Sequence, residues 1–285
     1  MSLQSIYIVS VPRSGSTLLT NMLDAYEDVI CPPESFFPAV LDQLEDREMA
    51  DHRKVAALFV VSCSDGSPLT LEEAETCIRQ DKQETLDALA IAIATKLGRD
   101  PATLRTVIWK FTRMVGSWRF VSDCGGKFII LHRNLLNVYE SQFRVPFGEK
   151  NRNPLRFAFF AASYDVAFAA YPNGRVLALD YADMPARMGE ILSWIGSAGR
   201  KREASVGTLD AISEKNPWHA NINKPFDNKD AEKLQNLTLW QSKGFSLGYA
   251  ILKKLTPLTR QARRLADQRQ MRALRHQATE LLKKS

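Results

Sequence analysis

The stretch from Ser5 to Ala25, SIYIVSVPRSGSTLLTNMLDA, constrains this chain more than any other. Ser5 to Val11 is apolar and β-branched, the composition of a strand buried on both faces. Pro12-Arg13-Ser14-Gly15 breaks it with a turn. From Thr17 to Ala25 the pattern becomes helical, with Leu18, Leu19, Met22 and Leu23 on one side. A buried strand that turns through small residues into a helix is a ready anion site. The helix starts with unpaired N–H groups and a partial positive charge. Gly15 lets the backbone approach an oxyanion closely. Ser16 and Thr17 add hydroxyls, Ser14 to Leu18 add amides, and Arg13 adds a charge on a planar fork of donors. Taken alone, the same residues also read as a Ser/Gly turn capping a helix.

The rest of the chain extends this unit. Val29 to Cys31, Thr106 to Lys110, Gly126 to Leu131 and Arg175 to Asp180 are further strand candidates. Helical patterns cover Phe37 to about Asp46, Glu72 to Ile78, Glu84 to Leu97, Leu155 to Tyr171 and Met184 to Ile195. Asn134 is placed to cap a helix running to about Arg144. Strands alternating with helices predict an α/β fold: a three-layer sandwich around a parallel sheet of about five strands, with a P-loop-like phosphate-binding loop. The expected organisation is one domain over residues 1–252, with a mainly helical insertion at 46–104 on the acceptor side. A basic amphipathic helical tail follows at 253–285.

The loop is not a nucleotide-triphosphatase loop. That motif needs Gly-Lys-Ser/Thr after its glycines, and here Arg13 precedes a lone Gly15. No acidic strand end stands out to hold the magnesium that phosphoryl transfer uses. A sulfuryl group carries less charge, so basic side chains and amides suffice and no metal is expected. A P-loop kinase-like phosphotransferase is therefore the weaker alternative.

A companion signal lies at Phe128-Ile129-Ile130-Leu131-His132-Arg133, followed by Ser141. Arg133 sits just past a strand end, and Ser141 lies slightly over two helical turns later at ~3.6 residues per turn. A cation and a hydroxyl facing one point suit a phosphate monoester. With both signals the chain resembles the sulfotransferases that use 3′-phosphoadenosine 5′-phosphosulfate (PAPS) and release 3′-phosphoadenosine 5′-phosphate (PAP). The Arg13 loop resembles their 5′-phosphosulfate loop, and Arg133 with Ser141 resembles their 3′-phosphate motif. Tyr181-Ala182-Asp183-Met184 is similar to a Tyr-Glu-Asp-Leu stretch common in that family. The resemblance runs from about Ser5 to Leu252 and is thin between Asp46 and Leu104. One departure is Arg133-Asn134-Leu135, where the family usually has Arg-Asp-Pro; Asn can still cap the helix.

The resemblance implies roles for three further residues. Glu34, in Cys31-Pro32-Pro33-Glu34-Ser35, matches the glutamate base of the tyrosylprotein and carbohydrate branches; the competing reading is a solvated loop carboxylate. His52, His132 and His219 lie in no context that matches the histidine base of other branches. Lys110 ends a strand, where ligands gather in open α/β sheets. It resembles the lysine that, with Arg13, stabilises the leaving phosphate; a lysine snorkelling at a strand end is the alternative. The Trp218–Pro225 stretch resembles a late loop over the nucleotide, with Lys224 reaching the 3′-phosphate. The implied activity is sulfuryl transfer to a hydroxyl of a saccharide, lipid-linked glycan or other metabolite. A non-catalytic PAP/PAPS-binding protein is the alternative.

Charge bounds the partners. Ten Lys/Arg against Asp267 and Glu280 give residues 253–285 a net +8, so the total of +6 leaves residues 1–252 at −2. The basic balance thus belongs to the tail and argues against a nucleic-acid-binding fold. Leu258, Ala262, Leu265, Met271, Leu274, Ala278 and Leu281 recur at roughly helical spacing there. Such a helix can be solvated, pack on the body, or make peripheral contact with an anionic membrane. The cysteines Cys31, Cys63, Cys77 and Cys124 have no metal spacing and read as reduced thiols. Met1 to Val11 reads as a first strand rather than a signal peptide. The expected location is therefore cytoplasmic, with membrane-peripheral contact as an extension. Acceptor identity and oligomeric state are not encoded in any motif.

Overall fold

A computed structural model describes residues 2–64, 66–116, 126–142, 152–202, 226 and 228–285. Its centre is a five-stranded sheet with every pairing parallel. The strands are β1 (Gln4–Ser10), β2 (Val29–Ile30), β3 (Thr106–Phe111), β4 (Lys127–His132) and β5 (Val176–Asp180), in the order β2-β3-β1-β4-β5. The α/β class and the sheet of about five parallel strands expected from the sequence are what the chain forms.

Strand periodicity sorts the core into two layers. Tyr7, Val9, Trp109, Phe111, Phe128 and Ile130 point to one face, and Ile6, Ile8, Ile108, Ile129 and Leu131 to the other. The second face is covered by α1 (Ser16–Asp24) and α9 (Met188–Ile195), through Leu19, Leu23, Ile191 and Ile195. The first face carries the larger layer. It includes α2 (Phe37–Leu41), α3 (Asp46–Met49), α4 (His52–Ser62), α5 (Leu71–Glu75), α6 (Lys82–Lys96) and α8 (Pro154–Phe168). The remaining helices of the described residues are α7 (Leu135–Gln142), α10 (Asp230–Leu234), α11 (Leu239–Lys254) and α12 (Thr256–Lys284). Phe59, Leu89 and Ile93 from the 46–104 region are fully buried in that first layer, as is Met49. Met271, Leu274 and Ala278 of α12 join the same cluster.

Two of the helices that fall short of their sequence patterns do so by four residues or more. The Phe37–Asp46 pattern stops at Leu41, where the amides of Gln43 and Leu44 bond three residues back, to Val40 and Leu41. Glu45 then opens a new turn with a capping box to Glu48. The Met184–Ile195 pattern becomes regular only from Met188, because a tight turn at Tyr181–Asp183 and Pro185 occupy its start.

The topology positions the site. The parallel register pairs Ile8 with Lys110 and Ser10 with Leu131. The carboxyl ends of β3, β1 and β4 therefore lie side by side, ~4.8 Å apart per strand. The chain leaves β1 toward the β2 edge and later crosses to β4 on the other side, which opens a crevice at those ends.

Candidate functional site

The turn after β1 is held before any ligand is considered. The Ser14 amide donates to the Val11 carbonyl at 3.2 Å, and Gln142 Nε2 donates to the Pro12 carbonyl at 3.2 Å. Ser14 therefore spends its amide inside the turn. Arg13 adopts a left-handed φ of 76°, unusual for a residue with a side chain. Gly15 follows at φ 95°, and a Cβ there would lie 2.5 Å from Tyr181 Cδ2. Only glycine fits. Gly15 is also the N-cap of α1 and brings no side-chain cap, so the first-turn amides of Ser16, Thr17 and Leu18 open toward the crevice.

Lys110 and Glu34 meet beside this helix start. Lys110 Nζ lies 2.8 Å from Glu34 Oε2 and donates to Thr17 Oγ1 at 2.9 Å. Thr112 Oγ1 donates to Glu34 Oε1 at 2.7 Å. Lys110 is fully buried, a poor place for a free ammonium and a good one for a charge aimed at an anion. The loop carrying Glu34 is tied down by the Ser35 amide on the Lys110 carbonyl at 3.3 Å and by the Ser35–Ser62 hydroxyl pair at 2.9 Å. Burial pushes the Glu34 carboxyl upward. The charge and hydrogen bond of Lys110, the Thr112 hydroxyl and the charge of Arg113 outweigh it and hold the carboxyl below its ordinary 4.5.

The β4 signal joins the same place. Asn134 Oδ1 accepts from the Leu136 amide at 2.9 Å and opens α7 (Leu135–Gln142) as expected. Arg13 Nε donates to Ser141 Oγ at 3.4 Å, and Arg133 Nη1 donates to the Arg13 carbonyl at 3.1 Å. The two sequence motifs are thus bonded to each other. Arg133 also stacks 4.1 Å from the Tyr181 ring centroid. Its Nε donates to Asp230 Oδ1 and Oδ2 at 3.1 and 3.2 Å, and its Nη2 donates to the same carboxylate. Arg13 has no such partner: among the described residues no carboxylate lies within ion-pair distance of it. Burial and the like charge of Arg133 lower its pKa, while Glu34 works the other way. A guanidinium stays protonated regardless, and among the described residues its charge is offset only at longer range, by Glu34.

Residues 5–196 match the sulfotransferase family. The chain belongs to that family. Among solved structures, it is similar to the sulfotransferase domain from the Synechococcus PCC 7002 olefin synthase, at 19% identity and TM-score 0.51. That match covers 89% of this chain and 94% of the other. It is also similar to a sulfotransferase from Alicyclobacillus acidocaldarius, at 13% identity and TM-score 0.44, over 90% and 96% of the two chains. No curated protein matched it in sequence.

In this sulfotransferase-family chain, Arg13, Gly15, Ser16, Thr17, Leu18, Glu34, Lys110, Arg133 and Ser141 converge on one crevice. Lys224 and the Trp218–Pro225 stretch lie outside the described residues. Sequence reasoning missed Thr112, Gln142 and Asp230. Thr112 had a signal, since it lies two residues beyond Lys110 along the strand direction and so shares its face. Asp230 had none, being 97 residues from its partner.

Proposed function

We propose that the chain transfers a sulfuryl group from PAPS to a hydroxyl of a saccharide, lipid-linked glycan or other hydroxylated metabolite, releasing PAP. The observation that carries this reading is the Arg13 guanidinium, which has no carboxylate at ion-pair distance among the described residues, beside the buried Lys110–Glu34 pair. The donor set suits the nucleotide. Arg13 and the amides of Ser16 to Leu18 suit the 5′-phosphosulfate, and Arg133 with Ser141 suits the 3′-phosphate. Lys224 is retained as a further candidate for that phosphate.

Bound donor supplies an activated sulfuryl group on a phosphate leaving group. Glu34 takes the proton of the acceptor hydroxyl as the new O–S bond forms. Lys110 and Arg13 offset the charge left on the phosphate oxygen as its bond to sulfur breaks. Lys110 is suited to this because it already spans from Thr17 in the loop to Glu34, at 2.9 and 2.8 Å. The Glu34 carboxylate favours the glutamate-base branches over a histidine base.

The test has two stages. Melting is followed with and without PAP, using wild type and Arg133→Ala. A shift in wild type that shrinks in the variant supports the nucleotide site; no shift at millimolar PAP refutes it. Labelled-sulfate transfer from PAPS is then screened over a library of hydroxylated acceptors. Transfer to any of them excludes a protein that only binds the nucleotide.

A further inference from the structure

We propose that the outer face of α11, continued by the start of α12, docks on an anionic lipid surface. The inference does not rest on the proposed chemistry.

The inner face of α11 fixes which side looks outward. Gly244, Phe245 and Gly248 are buried, and Phe245 stacks among Tyr139, Phe157 and Tyr249. A Cβ on Gly248 would come within 2.8 Å of Leu155 Cδ2 and 3.3 Å of Ala158 Cβ, so α11 and α8 approach through a glycine. The Tyr249 hydroxyl donates to Asp165 on α8. The helix is pinned and cannot roll to hide its other side.

That other side is apolar and uncovered. Leu239 is 69% exposed, Trp240 and Leu247 are 66% each, and Ile251 is 53%. At ~100° per residue, Leu239, Trp240, Lys243, Leu247, Ile251 and Lys254 share about 120° of arc. Leu255 and Leu258, just past the helix junction, are exposed as well, as is Leu155, which packs against Gly248. Scattered exposed leucines are ordinary; a continuous strip with a tryptophan is not.

Charge decides the occupant. From Lys233 to Ala266 the sequence holds no acidic residue, and from Lys243 to Arg264 it holds six basic ones. Lys243 and Lys254 lie inside the apolar strip rather than around it. The centre of a protein interface is depleted of lysine. At a bilayer surface a lysine stem lies along acyl chains while its ammonium reaches headgroup phosphates, and tryptophan favours the same depth. Among the described residues no helix is long and apolar enough to cross a membrane, so the geometry is a helix lying on the surface. The apolar positions Met271, Leu274 and Ala278 of α12 are spent on the body, while Arg260, Arg264, Arg269 and Arg272 remain exposed. The tail then adds attraction toward anionic headgroups, and the insertion belongs to α11.

Flotation of the full chain is measured with vesicles of phosphatidylcholine alone and of phosphatidylcholine mixed with phosphatidylserine, at low and high salt. Wild type is expected to float with the phosphatidylserine vesicles and to be released by salt. Trp240→Ser/Leu247→Ser/Ile251→Ser is expected to lose flotation, and Lys243→Gln/Lys254→Gln to bind about five-fold more weakly per lysine. Unchanged melting of both variants shows that the fold is intact, since all five positions are on the exposed face. The proposal is overturned if wild type stays with the soluble fraction. It is overturned equally if the triple variant floats as wild type does, or if wild type is a dimer that the triple variant dissociates.

Discussion

Lys110 and Thr112 hold Glu34 in the charge state that the proposed transfer needs. With its carboxyl held below 4.5, Glu34 is ionised at neutral pH and ready to accept a proton. A carboxyl depressed by folding stabilises the fold above its ordinary value, and that contribution disappears as pH falls through the folded value. Glu34→Gln is therefore expected to cost stability at neutral pH and progressively less below pH 4.5, read by urea unfolding at several pH values. Its turnover is expected to fall on the order of 100-fold or more, while PAP still raises the melting temperature. Near-normal turnover would remove Glu34 as the base. Lys110→Met tests the other half of the pair. It leaves a buried carboxylate without its counter-charge, so burial then dominates and the Glu34 carboxyl moves up. The expected cost is ~3 kcal/mol of folding stability. The acidic limb of the pH–rate profile should shift upward as well, which a purely structural lysine would not produce.

At the scale of elements, the start of α10 meets the Arg133 guanidinium that the proposed function assigns to the 3′-phosphate. Asp230 at its start takes three donor contacts from Arg133 and stands where an anionic oxygen pair would stand. Nucleotide binding then requires Asp230 to yield. Asp230→Asn weakens a charge-assisted fork and is expected to tighten PAP binding by about ten-fold, or ~1.4 kcal/mol, in calorimetric titration. Weaker binding would instead mean that Asp230 orients Arg133 for the phosphate. This contact also marks the limit of what sequence carries. The β1–turn–α1 unit was legible because strand period, turn residues and helix period are local. The cap at Asn134 was legible for the same reason. The bond from Arg13 to Ser141 follows only once β4 is known to pair with β1, and no local pattern states that pairing. Asp230 is further still: an acid in the first turn of a short helix gives no sign of its partner. The shortened α2 was missed because side-chain periodicity continues where the backbone hydrogen bonds already tighten.

At the scale of the whole molecule, the last helix decides whether the basic tail is an appendage or part of the fold. The sequence reading separates residues 253–285 by their charge, yet charge reports only the outer face of α12. Its inner face packs on α4 and α8, with Met271, Leu274 and Ala278 in the larger core layer. Asp267 is nearly buried there and is pushed upward by burial, against the pull of Arg263 and the Gly116 amide. Its carboxylate accepts from Arg263 at 2.8 Å and from that amide at 3.1 Å, which anchors the chain beyond the end of β3, the strand that carries Lys110. Deleting residues 256–285 therefore uncovers apolar surface and leaves the Gly116 segment without its partner. Burial of three side chains of this size is worth ~1.5–3 kcal/mol each for the larger ones, a sizeable part of the 5–15 kcal/mol of a typical domain. The truncated chain is expected to melt at least ten degrees lower, at ~2–4 °C per kcal/mol for a chain of this size, or to lose cooperative unfolding in scanning calorimetry. Retention of the full melting temperature would show that α12 is detachable. In that case Met271→Ala alone should also be silent, whereas a helix that belongs to the core makes it cost ~2–5 kcal/mol.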